Sequence, residues 1–166
     1  MQRCDQQTLE ATPVQLKGEM NMIQLVPVTA ENWEACCELT LTAEQQDFME
    51  ANVYSIAQAK FEPSLVLRAI IADEAVVGFV MYNTELEELD GYWIYRIMID
   101  QAQQGNGIGR LAMQAVIDEM RALPAAKRIV VGYRPDNQAA HRLYASLGFI
   151  DHGDRFGREM AVRLDI

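Results

Sequence analysis

Three glycines occupy alternate positions in the segment QGNGIGR, at Gly105, Gly107 and Gly109. An apolar run, YWIYRIMI, precedes this segment and an amphipathic helical pattern follows it, so the glycines stand at a strand-to-helix junction. Glycine loses more backbone entropy on folding than other residues, and three of them indicate that the backbone approaches another group closely. The first N–H groups of a helix lack internal partners and lie at the positive end of its dipole. We therefore expect an anion-binding site here.

The rest of the chain predicts a single α/β domain over residues 22–166, with its elements in the order βααβββαβαββ. The predicted strands are MIQLVPV, LVLRAIIA, VVGFVMY, YWIYRIMI, RIVVGY, FIDHG and REMAVRLDI. The predicted helices are AENWEACCEL, TAEQQDFMEANVYSIAQAKF, RLAMQAVIDEMRAL and DNQAAHRLYASL. An early antiparallel hairpin and a late βαβ unit indicate a mixed, mostly antiparallel sheet. Residues 1–21 are polar and patternless, and we expect a flexible N-terminal extension.

Composition excludes several classes of function. A formal net charge of −10 disfavours nucleic acid and anionic membranes as partners. No apolar run approaches the ~20 residues that a membrane-spanning helix needs. The three cysteines, Cys4, Cys36 and Cys37, show neither a disulfide framework nor metal-ligand spacing. We expect a cytoplasmic protein without a metal site.

The glycine segment could be a Walker loop, a dinucleotide fingerprint or a tight structural loop. A Walker loop requires Lys-Ser/Thr after its last glycine, whereas Arg110 follows Gly109 here. A dinucleotide fingerprint matches formally at Gly107, Gly109 and Ala112, but the next strand, RIVVGY, lacks the acidic residue that binds a ribose hydroxyl. A tight loop with only a packing role explains one or two glycines, but not three together with Gln104 and Arg110.

The segment 104–109 also fits the pattern Q/R-x-x-G-x-G/A, and over residues 22–166 the chain resembles the GNAT acetyltransferase superfamily. YWIYRIMID is similar to the strand that precedes this pattern, and RPDNQAAHRLYASLGF is similar to the last helix of the family. IMIDQAQQGNGIGR, PDNQAAHRLY and TAENW resemble the spermidine/spermine acetyltransferases in particular. The resemblance implies that acetyl-CoA is the co-substrate and that the glycine segment cradles its pyrophosphate.

The resemblance also implies individual roles. The co-substrate would be bound by Ile97, Met98, Ile99, Gln104, Gly105, Asn106, Gly107, Ile108, Gly109, Arg110 and Asn137. The backbone near Ile97 to Ile99 would supply the donor to the oxyanion, and Tyr144 would protonate the departing thiolate. Asn137 and Tyr144 are seven residues apart, so they lie on one face of the helix.

The general base is where the chain departs from the family pattern. An alkylammonium with a pKa of about 10.4 must lose a proton before it can attack a thioester. Many family members carry a carboxylate in the central strand, whereas this strand holds Trp93, Tyr95 and Arg96. We expect Arg96 to pair with an acid from a neighbouring element. The sequence offers as candidates for the base water, or an acid from elsewhere such as Glu50, Glu85, Glu87 or Glu88.

We expect the acceptor to bind between the first two helices and the loop before the central strand. Candidate contacts are Gln46, Glu50, Tyr54, Tyr82 and Glu85. The expected reaction transfers an acetyl group from acetyl-CoA to a primary amine of a small cation such as spermidine or spermine, by direct attack in a ternary complex. The alternatives are another amine acceptor (an antibiotic, an amino acid or a protein N-terminus) and a non-catalytic acyl-CoA-binding module. Late strands that pair between subunits would give a homodimer.

Overall fold

Strands and helices follow one another in the predicted order βααβββαβαββ across residues 23–166, the part of the chain that the computed structural model describes. The strands are β1 (Ile23–Pro27), β2 (Leu65–Ala72), β3 (Ala75–Asn83), β4 (Tyr92–Ile99), β5 (Arg128–Tyr133), β6 (Ile150–Phe156) and β7 (Glu159–Asp165). The helices are α1 (Trp33–Glu38), α2 (Asn52–Ala59), α3 (Ile108–Arg121) and α4 (Gln138–Ser146), and short 3₁₀ turns form at Gln46–Phe48, Glu88–Asp90 and Gln101–Gln103. The extension expected over residues 1–21 lies outside the described residues.

All seven strands join one sheet in the order β1-β2-β3-β4-β5-β7-β6. Only β4 and β5 are parallel, because α3 connects them as a crossover; the other neighbours are antiparallel. β7 lies between β5 and β6, so β6 forms one edge of the sheet. The predicted mixed, mostly antiparallel α/β fold is confirmed.

Helices cover both faces of the sheet. On one face α3 and α4 bury Ile94 of β4 and Val131 of β5. On the opposite face Cys36 of α1 packs with Met98 of β4 and with Phe79 of β3. β4 is therefore buried on both sides, as its nearly continuous apolar sequence predicts.

The second helix differs from its prediction. The sequence predicts one helix over residues 42–61 with a buried stripe of Phe48, Val53, Ile56 and Ala59, but α2 begins only at Asn52 and Val53 is 55% exposed. Asn52 and Ser55 are buried instead. The Nδ2 of Asn52 donates to the backbone carbonyl of Cys36 in α1 at 2.8 Å, while Ile56 and Ala59 of the predicted stripe pack against the core.

A buried ion pair joins β2 to α3. Arg68 is only 8% exposed, and its Nε donates to the Oε1 of Glu119 at 2.8 Å. Tyr82 is buried in the same layer, where burial and then the charge of Glu119 raise the pKa of its phenol. The expectation that Tyr82 contacts an acceptor is therefore corrected, because its side chain belongs to the core under α3.

We expect Glu119→Leu to lower the free energy of unfolding by about 3 kcal/mol, because it leaves the buried Arg68 guanidinium without an anion. The double variant R68M/E119L is expected to recover most of this loss, since no buried charge remains. Urea unfolding of both variants measures the difference. A double variant that is as unstable as the single one would contradict the role of the ion pair.

Candidate functional site

The parallel strands β4 and β5 separate soon after they pair. Their register extends only from Tyr92 to Ile94 on β4 and from Ile129 to Val131 on β5. β4 continues to Ile99, so the backbone groups on this side of its second half have no strand partner among residues 23–166. An unpaired strand edge can bind an extended ligand through main-chain hydrogen bonds. The separation opens a cleft in the middle of the sheet.

A bulge in β4 accompanies this separation. Opposite β3, Met81 pairs with Arg96 and Tyr82 pairs with Ile94, so Tyr95 is an extra residue on β4. A bulge bends its strand and increases the local twist, which turns the second half of β4 away from β5.

The glycine segment lies at the end of the cleft. Gly105 and Gly107 have φ values of +82° and +78°, which side chains rarely adopt, and Gly107 caps α3. A Cβ atom at either position would meet no atom within 4 Å, so the glycines leave open space in front of the backbone. Within residues 23–166, the N–H groups from Gly105 to Gly109 donate to no protein acceptor. Successive unpaired amides at the positive end of a helix fit a pyrophosphate.

Two residues beside this segment line the cleft but also hold the protein together. The side-chain amide of Gln104 donates to the carbonyl of Ile99 at 2.9 Å and exchanges two hydrogen bonds with Gln45. The Nη1 of Arg110 donates to the carbonyl of Ser146, at the end of α4, at 2.8 Å. The sequence implies that both residues bind the co-substrate, and the structure gives both a second, positioning role.

α4 places Asn137 and Tyr144, the two site residues predicted for this helix, at the cleft. The Oδ1 of Asn137 accepts the backbone N–H of Ala140 at 3.1 Å and so caps the helix. Tyr144, seven residues further along the chain, is buried, and its ring packs against Phe149. Both Asn137 and Tyr144 line the cleft. Burial, followed by interactions with Tyr133 and Glu159, raises the pKa of Tyr144. The phenol therefore stays protonated at neutral pH and can donate a proton.

The expected acceptor contacts divide into two groups. Gln46 and Glu50 line the cleft. Tyr54, Glu85 and the buried Tyr82 do not. The Tyr54 ring lies 5.7 Å from the guanidinium of Arg96.

Among residues 23–166, no acid pairs with Arg96, contrary to expectation. Its Nη1 donates to the Oγ of Ser55 at 3.2 Å and to the Oε1 of Gln58 at 3.1 Å. These neutral oxygens come from α2, which explains why a polar face of that helix is buried against the sheet.

A set of acidic and aromatic side chains forms the remaining wall of the cleft. They are Asp47, Phe48, Glu50, Glu87, Glu88, Trp93, Tyr95, Phe156 and Glu159. The indole of Trp93 donates to the backbone carbonyl of Glu88 at 2.9 Å, and the ring packs edge-on against Phe156 at 5.2 Å. Sequence reasoning missed Phe156 and Glu159, because only the pairing of β6 and β7 beyond β5 brings them to the cleft.

The cleft is larger than a pocket for one small ligand usually is. Its volume is about 1220 Å³, while pockets for one small ligand usually measure about 300–1000 Å³. Across residues 23–166, no three His, Cys, Asp or Glu side chains group together as metal ligands do, and no helix is long and apolar enough to cross a membrane.

Comparison with known proteins agrees with this geometry. The model of the acetyltransferase (GNAT) family matches residues 32–149, which include the separated strands and the glycine segment. The chain belongs to the GNAT acetyltransferase family. Members of this family are acetyl-CoA-dependent N-acetyltransferases, so acetyl-CoA is the co-substrate of this chain.

Relatives within the GNAT family differ in their acceptors. A spermine/spermidine N(1)-acetyltransferase of Bacillus subtilis strain 168 is 28% identical over 137 residues, which cover 80% of this chain and 90% of the relative. The Vibrio cholerae spermidine N-acetyltransferase in complex with CoA and spermine has a TM-score of 0.68 at 15% identity and covers 86% of this chain and 95% of its own. Mycobacterium smegmatis RimJ in complex with CoA-disulfide has a TM-score of 0.72 at 18% identity, with 93% and 86% covered.

We expect Gly107→Asp to weaken acetyl-CoA binding more than tenfold relative to Gly107→Asn. Asp and Asn have similar size and both tolerate a positive φ, so backbone strain is shared and only the carboxylate in the anion cradle differs. Calorimetric titration with acetyl-CoA measures the two affinities, and raising the salt concentration should narrow the gap. Equal affinities would place the pyrophosphate elsewhere.

Tyr144→Phe is expected to lower kcat about 100-fold while leaving the dissociation constant of acetyl-CoA unchanged, because it removes only the proton donor. Tyr54→Phe, which alters a phenol outside the cleft, serves as the matched control and should retain full activity. Steady-state kinetics with coenzyme A release as the readout measures both variants. An unchanged kcat in Tyr144→Phe would exclude this tyrosine as the acid.

Proposed function

We propose that this chain transfers the acetyl group of acetyl-CoA to a primary amine of a small polycation, spermidine or spermine, by direct attack in a ternary complex. One observation carries the proposal: unpaired backbone amides lie at one end of the cleft, and carboxylate and aromatic side chains predominate along the rest. The two arginines of that part are held by other residues, Arg134 by Asp136 and Arg96 by Ser55 and Gln58. A protein with this division of charge binds an anionic carrier and a cationic acceptor in one cleft.

The co-substrate would be held mainly by backbone. The N–H groups from Gly105 to Gly109, with Asn106 and Ile108 among them, would receive the pyrophosphate. The unpaired edge of β4 from Ile97 through Met98 to Ile99 would pair with the pantetheine arm and supply the donor to the carbonyl oxygen. When bound, acetyl-CoA supplies an activated acetyl carbonyl.

Tyr144 would act at the sulfur end of the reaction. It lines the cleft from α4, and burial raises its pKa, so the phenol carries its proton at neutral pH. This proton would be shared with the sulfur as the carbon–sulfur bond breaks, and protonating the thiolate prevents the reverse attack on the new amide. Asn137 and Arg110 fix the two ends of α4 and so orient this phenol.

The acceptor would bind with its ammonium groups near the acids that wall the cleft. Glu50 and Gln46 lie on one side, and Glu87 and Glu88 lie on the loop before β4. Alkylammonium ions also bind favourably over aromatic faces, which Trp93 provides. The 28% identical Bacillus subtilis spermine/spermidine N(1)-acetyltransferase supports a polyamine as the acceptor.

The test is an acceptor screen with acetyl-CoA, in which mass spectrometry identifies the acetylated product. We expect spermidine and spermine to be acetylated in preference to aminoglycosides, amino acids and peptides with free N-termini. Preferred acetylation of a peptide would redirect the assignment to a protein N-terminus. Tight acetyl-CoA binding without acetylation of any amine would favour a non-catalytic binding module.

Glu50→Gln is expected to raise the KM for spermidine about two- to fivefold, the change that the loss of one exposed ion pair of roughly 0.5–1 kcal/mol produces. Glu44→Gln removes the same charge from an exposed position outside the cleft and should leave this KM unchanged. Initial rates over a range of spermidine concentrations provide the comparison. Equal effects of both changes would indicate a nonspecific response to net charge.

A further inference from the structure

Glu159 lies beside the point where the two parallel strands separate. It is the first residue of β7, and its side chain folds over Gly132 of the neighbouring strand β5. A Cβ atom at Gly132 would lie 2.7 Å from the Oε2 of Glu159 and 3.7 Å from the indole of Trp93. The carboxylate and the indole therefore converge above this glycine, on the wall of the cleft.

The carboxylate of Glu159 is unengaged, which distinguishes it from Glu87. Within the described part of the chain, no side chain or backbone N–H donates to Glu159 and no cation pairs with it. The Oε1 of Glu87, by contrast, accepts the hydroxyl of Tyr95 at 2.6 Å and also the Nδ2 of Asn83. Glu159 is thus able to accept a proton without breaking a contact within the protein.

Glu159 and Tyr144 approach the cleft from opposite faces of the sheet. Tyr144 belongs to the core between the sheet and the helices α3 and α4. Glu159 lies on the other face, together with Trp93 and Ala161. The charge of Glu159 contributes to the raised pKa of Tyr144, so the two groups are within electrostatic reach of each other. An acid and a candidate base therefore flank the gap between the separated strands.

Gly132 makes this arrangement possible. A glycine inside a strand weakens the strand and often marks a place where another group approaches closely. Any side chain at this position would occupy the space of the Glu159 carboxylate. In β5 the residues Ile129, Val130 and Val131 are buried in the core, whereas Gly132 lies against the Glu159 carboxylate.

We propose that Glu159 is the general base of the acetyl transfer and accepts a proton from the acceptor ammonium above Gly132. The proposal rests on the proposed function. Glu159 takes one proton from the ammonium, and the freed nitrogen lone pair forms a bond to the acetyl carbonyl carbon. The carbon–sulfur bond then breaks, and Tyr144 gives its proton to the thiolate. The nitrogen loses its second proton, which restores the Tyr144 phenol through solvent, and Glu159 releases the first proton to water.

The first test is Glu159→Gln, which keeps the size of the side chain and removes its basicity. We expect kcat/KM to fall about 100-fold while the affinity for acetyl-CoA is retained. The difference in kcat/KM between Glu159→Gln and the unaltered protein should shrink as the pH rises from 6 towards 9.5. Below the pKa of the amine, the fraction of free amine grows about tenfold per pH unit, so the reaction depends less on a base. Glu74→Gln, in the exposed turn between β2 and β3, is the matched control. A rise in KM alone, equal at every pH, would overturn the base and leave only an anchoring role.

The second test uses Gly132→Ala, which displaces the flexible end of Glu159 without adding strain to the backbone. We expect a fall of at least tenfold in kcat/KM, in the direction of Glu159→Gln. In a background that already carries Glu159→Gln, the alanine should have no further effect. Thermal unfolding shows whether each variant folds. Independent, multiplicative effects of the two changes would contradict the proposal.

The identity of the acceptor and the role of Glu159 are tested by different measurements. Turnover of the amine panel by the unaltered protein tests the proposed acceptor, and the ratio of Glu159→Gln to the unaltered protein on the same amine tests the base. Activity on another amine with the expected ratio would overturn the polyamine assignment and support Glu159. Activity on spermidine with a ratio near one would support the polyamine assignment and overturn Glu159 as the base. An unaltered protein that acetylates no amine would overturn both proposals.

Discussion

The separation of β4 from β5 after three residue pairs is the constraint on which the rest of this molecule depends. Backbone N–H and C=O groups that lose a sheet partner must find another, because unpaired polar groups are costly to bury. Here the open edge faces a cleft, and the bulge at Tyr95 maintains the gap. The same gap lets groups from opposite faces of the sheet, Tyr144 and Glu159, reach one place. A fully paired sheet would keep them apart.

Charge is arranged around this gap in a consistent way. The positive end of α3 presents unpaired amides from Gly105 to Gly109, where an anion is stabilised. Carboxylates, Glu50 and Glu159 among them, wall the remainder, where a cation is stabilised. Arg96 would disturb this pattern, but the neutral oxygens of α2 hold it against that helix. The net charge of −10 therefore has a local counterpart as well as its general effect on solubility.

Much of the fold could be predicted because its signals are local. The glycine segment, the cap at Asn137 and the apolar run of β4 each reflect interactions within about ten residues of chain. The prediction failed at α2, where apolar periodicity indicated a buried Val53. Ile56 and Ala59 pack against the core as predicted, but Ser55 is buried too, because Arg96, distant in sequence, donates to it. Tyr82 was placed wrongly for a similar reason, since the pair of Arg68 and Glu119 draws it into the core.

By itself, the sequence determined the order of the elements and the glycine segment at the start of the third helix. These depend on backbone propensity, capping and helical spacing, which act over short stretches of chain. Only the tertiary structure decided where β4 parts from β5 and that the carboxylate of Glu159 lies over Gly132. The order of the strands decides both, because β7 inserts beside β5 and carries Glu159 over Gly132. No local pattern records that register, since it arises from contacts between segments far apart in the chain.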